Sequence, residues 1–385
     1  MTNSVRLGDV CTVVSGSTPK SNIPEYWDGN IKWITPAELT DDSYIISDSV
    51  RHITELGVSK TGLKPFPEGT VILSSRAPIG KTAIAGCEMY CNQGFKNLIC
   101  SSQINNRYLY WFLTCNTDYL NSLGRGATFK EISKGIVEDI EISLPSLNTQ
   151  LEVAEKFEKI SKLISLRKQQ LAKLDELVKA RFVELFGTIH DNKFGYEIKT
   201  LQDVCEQIKD GTHQTPTYTD DSVNGYKFLS SKDVTTGKID WTHLKYIPEE
   251  LHNELYARIA PRKGDILLAK NGTTGIAAIV DREEIFDIYV SLALLRPIEI
   301  NSVYLWAAIN SAETKQQFDS SLKGIGVPNL HLGEIKKARI IVPPMELQNQ
   351  FAAFVEQADK SKLAIQQSLD KLETLKKSLM QKYFG

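Results

Sequence analysis

A duplication constrains this chain more than any other feature. The pair Phe186-Gly187 recurs as Phe384-Gly385, an offset of 384 − 186 = 198. At that offset Lys179 meets Lys377, Leu177 meets Leu375, Leu174 meets Leu372, Gln150 meets Gln348 and Pro145 meets Pro343, with no gap. Gly126, Gly135 and Ile142 still fall on Gly324, Gly333 and Ile340. Toward the N-terminus the offset then shrinks. Tyr108-Leu109 pairs with Tyr304-Leu305 at 196, Gly69–Leu73 with Gly264–Leu268 at 195, and Leu7–Cys11 with Leu201–Cys205 at 194. A repeat of this length fixes the architecture as two copies of one unit. Within each copy the C-terminal part tolerates no change of length and the N-terminal part tolerates several, as expected where loops vary on a fixed scaffold.

The invariant part reads as helix. After Pro145 come Leu151, Ala154, Ile160, Ile164, Leu171, Leu174, Leu177, Val178 and Leu185, in steps of three and four with Lys, Glu and Gln between. After Pro343-Pro344 the second copy gives Phe351, Val355, Ala358, Ile365, Leu369, Leu372, Leu375 and Leu379. Proline at the entrance and glycine at the exit suit helix ends. About forty residues of helix span about 60 Å. Two such stripes in one chain are expected to pack on each other as an antiparallel coiled coil, since a whole domain folds between them. The variable part mixes Ile31–Ile34, Val71–Leu73, Thr82–Ala85, Asn97–Cys100 and Ile140–Leu144 as strands with Tyr108–Leu113 as one buried helix. The fold class is thus α+β: a globular domain over residues 1–144, a helix over 145–187, a second domain over 188–342 and a second helix over 343–385.

Composition limits the function. Of 385 residues 42% are apolar and 24% charged, proportions that suit a folded soluble chain of two or more domains. The N-terminal stretch Met1–Val10 lacks a signal-peptide core and no run could span a bilayer, so a cytoplasmic protein without a membrane partner is expected. Five of the six cysteines crowd the first third with no zinc spacing, which argues for buried thiols and against a metal. A net charge of −2 excludes binding to nucleic acid by bulk attraction, so any such contact must rest on locally placed groups. Catalytic motifs fail in turn. Ser75–Thr82 has Ser where a phosphate-binding loop needs its first Gly, and its repeat partner Lys270–Ile276 lacks the Lys. Val342-Pro-Pro-Met345 lacks the flanking residues of an adenine-methylating tetrapeptide, and Glu334-Ile-Lys336 aligns with Ile136-Val-Glu138, which removes a nuclease-like reading. No catalytic residue and no cofactor is expected.

The order Leu7-Gly-Asp-Val10, Ser15–Lys20, Ile31–Thr35, Gly69–Ser75 and Ile142–Leu147 with Gln150, repeated downstream, resembles the specificity subunits of type I restriction-modification enzymes over essentially the whole chain. The resemblance implies two target-recognition domains, each reading half of a split site in double-stranded DNA. It further implies helices that act as a ruler and dock two methyltransferase subunits, and it leaves open a translocating nuclease subunit. A coiled-coil adaptor that binds only protein is the alternative, but it gives no reason for loops to diverge while helices stay alike.

Gly-flanked polar segments are where backbone can approach phosphate and side chains can reach base edges. In the first half these supply Lys20, Ser75, Arg76, Lys81, Gln93, Lys96, Arg125 and Lys130. In the second they supply His213, Thr215, Lys270, Asn271, Lys323, Asn329 and His331. Arg76 aligns with Asn271 at offset 195, and these types pair bidentately with guanine and adenine. Lys20, Lys81, Lys270 and Lys323 suit phosphate. Trp33, Trp111, Trp241 and Trp306 sit in apolar contexts and are expected in the core.

Overall fold

The computed structural model describes residues 3–76, 78–126, 130–322 and 328–385. Two compact units emerge, one of residues 1–168 with 367–385 and the other of residues 169–366. Each contains a globular lobe, the beginning of one long helix and the end of the other. The central helix runs Leu147–Phe186 and the terminal helix Met345–Phe384, forty residues each.

In the first unit a five-stranded sheet has the order Cys11–Ser15, Lys96–Cys100, Val71–Leu73, Thr82–Ala85, Ile45–Ile46. Its middle is antiparallel, and Val71, Ile72 and Leu73 are wholly buried, which is why that short run carries no polar residue. A three-stranded sheet of Arg51–Ile53, Trp27–Ile34 and Tyr90–Cys91 stands beside it, and Asn3–Arg6 pairs antiparallel with Glu141–Leu144. The helix Asn106–Cys115 packs its aromatic face into the same core, capped by the Asn105 side chain, which accepts from the Arg107 and Tyr108 amides.

The second unit repeats this plan. Its four-stranded sheet has the order Cys205–Asp210, Leu292–Pro297, Ile266–Ala269, Ala277–Ile279, and Asn301 caps the helix Ser302–Ile309 in the same way. No strand equivalent to Ile45–Ile46 lies on this sheet among the described residues. The strands and the buried helix expected from the sequence all form: Val71–Leu73 and Thr82–Ala85 with the expected bounds, Trp27–Ile34, Lys96–Cys100 and Asn106–Cys115 one to four residues longer, and Glu141–Leu144 one residue shorter.

Each lobe is fastened to its long helix by a buried glutamine. Gln150 Oε1 accepts from the Asn105 amide at 2.8 Å while its Nε2 donates to the Pro145 and Gln103 carbonyls. Gln348 does likewise with the Asn301 amide at 2.9 Å and the Pro343 carbonyl at 2.7 Å. Tyr108 and Tyr304 reinforce the joint, their hydroxyls donating to the Ser143 and Ile341 carbonyls.

Within the first unit Phe384, at the end of the terminal helix, packs on Phe157 near the start of the central one at 5.6 Å, and on Tyr108 of the lobe at 5.2 Å. Within the second, Phe186 packs on Phe351 at 5.6 Å and on Tyr304 at 4.8 Å. Start meets end in both, so the helices run antiparallel. The terminal helix turns Phe351, Val355, Ala358, Lys362, Ile365, Leu369, Leu372, Lys376 and Leu379 away from solvent, in alternating steps of four and three. That is a heptad seam. The expected stripe therefore needs correction at Leu151, Leu177 and Leu375, which are 37%, 49% and 46% exposed. Lys376 takes the seam position beside Leu375 because it lies seven residues after Leu369, and its ammonium sits 5.2 Å over the Trp111 ring.

Candidate nucleic-acid interface

The duplicated sheets end in duplicated ledges. In the first unit the strand Val71–Leu73 runs into Ser74 and Ser75, where the Ser75 amide donates to the Gly94 carbonyl and its own carbonyl accepts from the Ile132 amide at 2.9 Å. In the second, the Lys270 amide donates to the Ser291 carbonyl and the Lys270 carbonyl accepts from the Leu330 amide at 2.8 Å. A turn follows in both lobes. It is closed by Gly80, at φ +94°, whose amide bonds the Ser74 carbonyl, and by Gly275, at φ +79°, whose amide bonds the Ala269 carbonyl. The residue after each ledge forms a backbone bridge to a distant loop, Arg76 with Glu131 and Asn271 with Asn329.

Beside each ledge a glycine lets a second loop pass close to the sheet. A Cβ on Gly16 would lie 2.2 Å from the Cys91 carbonyl oxygen, and one on Gly211 would lie 2.0 Å from that of Ile288. No side chain fits there, so both loops must carry glycine. The loop that follows Gly16 is held by two tryptophans, Trp33 Nε1 donating to the Ser17 carbonyl at 3.0 Å and Trp27 Nε1 to the Lys20 carbonyl at 3.2 Å. Trp33 and Trp111 are core residues, 2% and 4% exposed, while Trp241 and Trp306 are partly buried and pack against the apolar clusters of the second unit.

The electrostatics of the two ledges match although the residues do not. Lys96 in the first lobe and Lys270 in the second are buried, each beside a carboxylate. Lys96 Nζ lies 3.3 Å from Glu131 and 3.4 Å from Ser75 Oγ, and Arg76 Nε donates to the other Glu131 oxygen at 2.9 Å. Lys270 Nζ lies 3.0 Å from Asp210 Oδ2, which His213 Nε2 also reaches at 3.0 Å. Burial opposes ionisation of both acids. The hydrogen bonds and charge of Arg76 and Lys96 outweigh it at Glu131, and those of Lys270 and His213 at Asp210, so both carboxyls are held below the usual carboxylate range. Each lobe thus contains an ammonium–carboxylate pair that fixes one exposed cationic or polar side chain, Arg76 or His213.

The expected contact residues divide accordingly. Lys20, Gln93, Arg125 and Lys130 are exposed in the first unit, Gln93 accepting from the Thr18 hydroxyl and Arg125 closing its loop through paired backbone bonds to Glu131. His213, Thr215, Asn329 and His331 are exposed in the second, and Asn271 is half-buried. Three expectations are corrected: Ser75, Lys96 and Lys270 are not loop side chains open to a ligand. Ser75 is wholly buried, and Lys96 opens the strand Lys96–Cys100 with its charge already spent on Glu131, as that of Lys270 is on Asp210. Lys81 is half-buried, its Nζ donating to the Leu39 carbonyl at 2.6 Å. Lys323 lies outside the described residues. Glu131 and Asp210 escaped sequence reasoning because acids repel the ligand sought. The clue available was their place, Glu131 just past the Gly-flanked Arg125 and Asp210 just before Gly211.

The ledges offer exposed donors and acceptors on a rigid edge. Among the described residues, no cluster of His, Cys, Asp and Glu is suited to hold a metal, and no helix is long and apolar enough to cross a membrane. The segment Glu334–Lys336 lies in the short helix Leu332–Lys337 with Ile335 buried against the core, as a structural element would.

A family model for the type I restriction modification DNA specificity domain matches residues 2–176 and again 194–376. The MjaIX type I restriction enzyme specificity subunit of Methanocaldococcus jannaschii is 29% identical, the match covering 98% of this chain and 91% of that protein. The EcoBI specificity subunit of Escherichia coli is 23% identical over 83% of this chain and 75% of its own. Among solved structures, a chain from work on complex assembly and conformational transition of the type I R-M system superimposes with a TM-score of 0.65 at 19% identity, covering 99% of this chain and 97% of that one. The type I S subunit from M. genitalium does so with 0.59 at 14%, covering 100% and 96%. Both likenesses concern the fold. With two matches that together span most of its length, the chain belongs to the type I restriction-modification DNA specificity family.

Proposed function

We propose that this chain is the subunit that gives a type I restriction-modification complex its sequence specificity, each lobe reading one half of a split, asymmetric site in double-stranded DNA. The observation that carries this reading is the pair of ledges: one backbone scaffold built twice, bearing different side chains. Two half-sites of different sequence call for that combination, because phosphate contacts position a protein and base-edge contacts specify. The chain itself does no chemistry. Adenine methylation falls to two methyltransferase subunits docked on the long helices, and restriction to translocating nuclease subunits, all in the cytoplasm. The lobes, residues 1–144 and 188–342, act as independent readers on the helical segments 145–187 and 343–385. Exchanging residues 1–144 for the same domain of a relative, co-expressing the hybrid with its methyltransferase partner and mapping N6-methyladenine tests this. One half of the modified site should change and the other should stay. A change in both halves would overturn the division of labour.

A further inference from the structure

We infer that Arg76 and Asn271 are the repeat-related side chains that each fix one base of their half-site, Arg76 a guanine and Asn271 an adenine; this rests on the DNA-reading function proposed above. They occupy one place in the scaffold. Each follows a residue whose carbonyl is bonded to Ile132 or Leu330, and each is bridged through its backbone to Glu131 or Asn329. Their flanks are removed from contention. The preceding residues, Ser75 and Lys270, are buried, and the residue after Asn271 is Gly272 at φ +77°, which has no side chain to offer.

The side chains are prepared differently. Arg76 is 45% exposed and tied by Nε to Glu131 at 2.9 Å, which leaves its two terminal nitrogens without a partner among the described residues. Two parallel N–H donors presented end-on match guanine O6 and N7. Because Glu131 is itself held by Lys96, part of the cost of ordering a long side chain is met before DNA arrives. Asn271 lies lower, half-buried, and its Oδ1 is shut from solvent with no hydrogen-bond partner among the described residues. A carbonyl left unmatched in the free protein gains most from a ligand that supplies a donor. Once the amide turns outward to meet a base, that oxygen accepts from adenine N6 while the amide nitrogen donates to N7, the bidentate pairing this side chain permits.

The test uses the full chain co-expressed with its methyltransferase partner, acting on plasmids that carry a library of duplex sites, with N6-methyladenine read by sequencing. Arg76→Gln leaves Glu131 and its buried lysine in place. It should lose about 5- to 150-fold discrimination for guanine at one position of one half-site, with adenine gaining there and the other half-site unaltered. The double exchange Asn271→Arg with Asn329→Glu copies the first ledge onto the second and should convert one adenine to guanine in the other half-site only. Unchanged preference in Arg76→Gln overturns the inference, as does an equal loss at every position, which would make Arg76 a general affinity contact. A wild-type complex that marks no split site at all would instead sink the DNA-reading function itself. Should the double exchange fail to fold, as shown by its melting curve, Arg76→Gln still decides, since it alters an exposed side chain alone.

Discussion

Two aspartates in the second lobe, half-buried Asp210 and buried Asp287, carry opposite dependences on pH. Asp210 is held below the ordinary carboxylate range by Lys270 and His213 in spite of burial. Its contribution to stability is present above the unfolded-state value near 4 and is lost as pH falls through the lowered folded value. Asp287 is the reverse. One of its oxygens accepts from His252 Nδ1 at 2.7 Å, the other is buried without a partner among the described residues, and burial outweighs the histidine and pushes the carboxyl up to about 6. A raised acid favours folding while protonated, and that advantage disappears as pH rises from about 4 to about 6. Asp210→Asn should therefore cost about 3 kcal/mol at neutral pH by stranding the Lys270 ammonium, with a gap to wild type that narrows in acid. Asp287→Asn should gain on wild type between pH 4 and pH 7. Denaturant unfolding across pH 3–7 checks both, and parallel curves for the two variants would show that neither shift exists. The sequence exposed Arg76 and Asn271 through their shared offset but hid these carboxylates. Glu131 lies 35 residues from Lys96, and Asp210 lies 60 from Lys270, so only the folded chain brings each pair together. A lysine at the start of a strand reads as a loop residue until its partner is known.

Among the elements, the long helices were legible in outline and wrong in detail for one reason. Apolar residues at three- and four-residue steps mark a helix, but the seam is chosen by the spacing that both helices share. Leu375 and Lys376 compete for one position, and the alternation of four and three gives it to the lysine, whose stem covers apolar surface while its charge rests over Trp111. The joints between lobe and helix were visible only as matched letters, Gln150 with Gln348 and Pro145 with Pro343, without a role. The structure supplies one: a buried side-chain amide satisfies the backbone at the base of the Asn105-capped helix and at the entrance to the long helix together. Gln150→Ala leaves the Asn105 amide and the Pro145 carbonyl unpaired and should cost about 2–3 kcal/mol, read as a shift in the denaturation midpoint without a change in slope. Gln150→Glu keeps the acceptor but buries a carboxylate against the Pro145 and Gln103 carbonyls, so at neutral pH it should cost at least as much as alanine, with part of the loss recovered in acid. An alanine variant as stable as wild type would mean that the joint is held by apolar packing alone.

On the scale of the molecule, the two units divide the chain at positions 168 and 366, which are separated by the repeat offset of 198. Each lobe is completed by an aromatic that arrives on the far end of the other helix. Phe384 packs on Tyr108 and Phe157 in the first unit, and Phe186 on Tyr304 and Phe351 in the second. A chain cut after Gly187 retains the first lobe and the whole central helix but loses Phe384, leaving an apolar stripe and the Tyr108 surface uncovered. It also ends in the repeat equivalent of what it lost, because Phe186 of a second copy can take the place of Phe384. Two copies of residues 1–187 should therefore pair their helices antiparallel in an isologous dimer, each supplying Phe186 to the other. Light scattering would give the mass of two chains, and Phe186→Ala should return the fragment to monomer or aggregate. With methyltransferase subunits present, such a dimer should mark a palindrome whose arms are both the half-site of the first lobe. Sequencing of N6-methyladenine would show it. A soluble monomeric fragment, or a dimer that still marks the asymmetric site of the full chain, would break the link between the repeat in the sequence and the pairing of the helices.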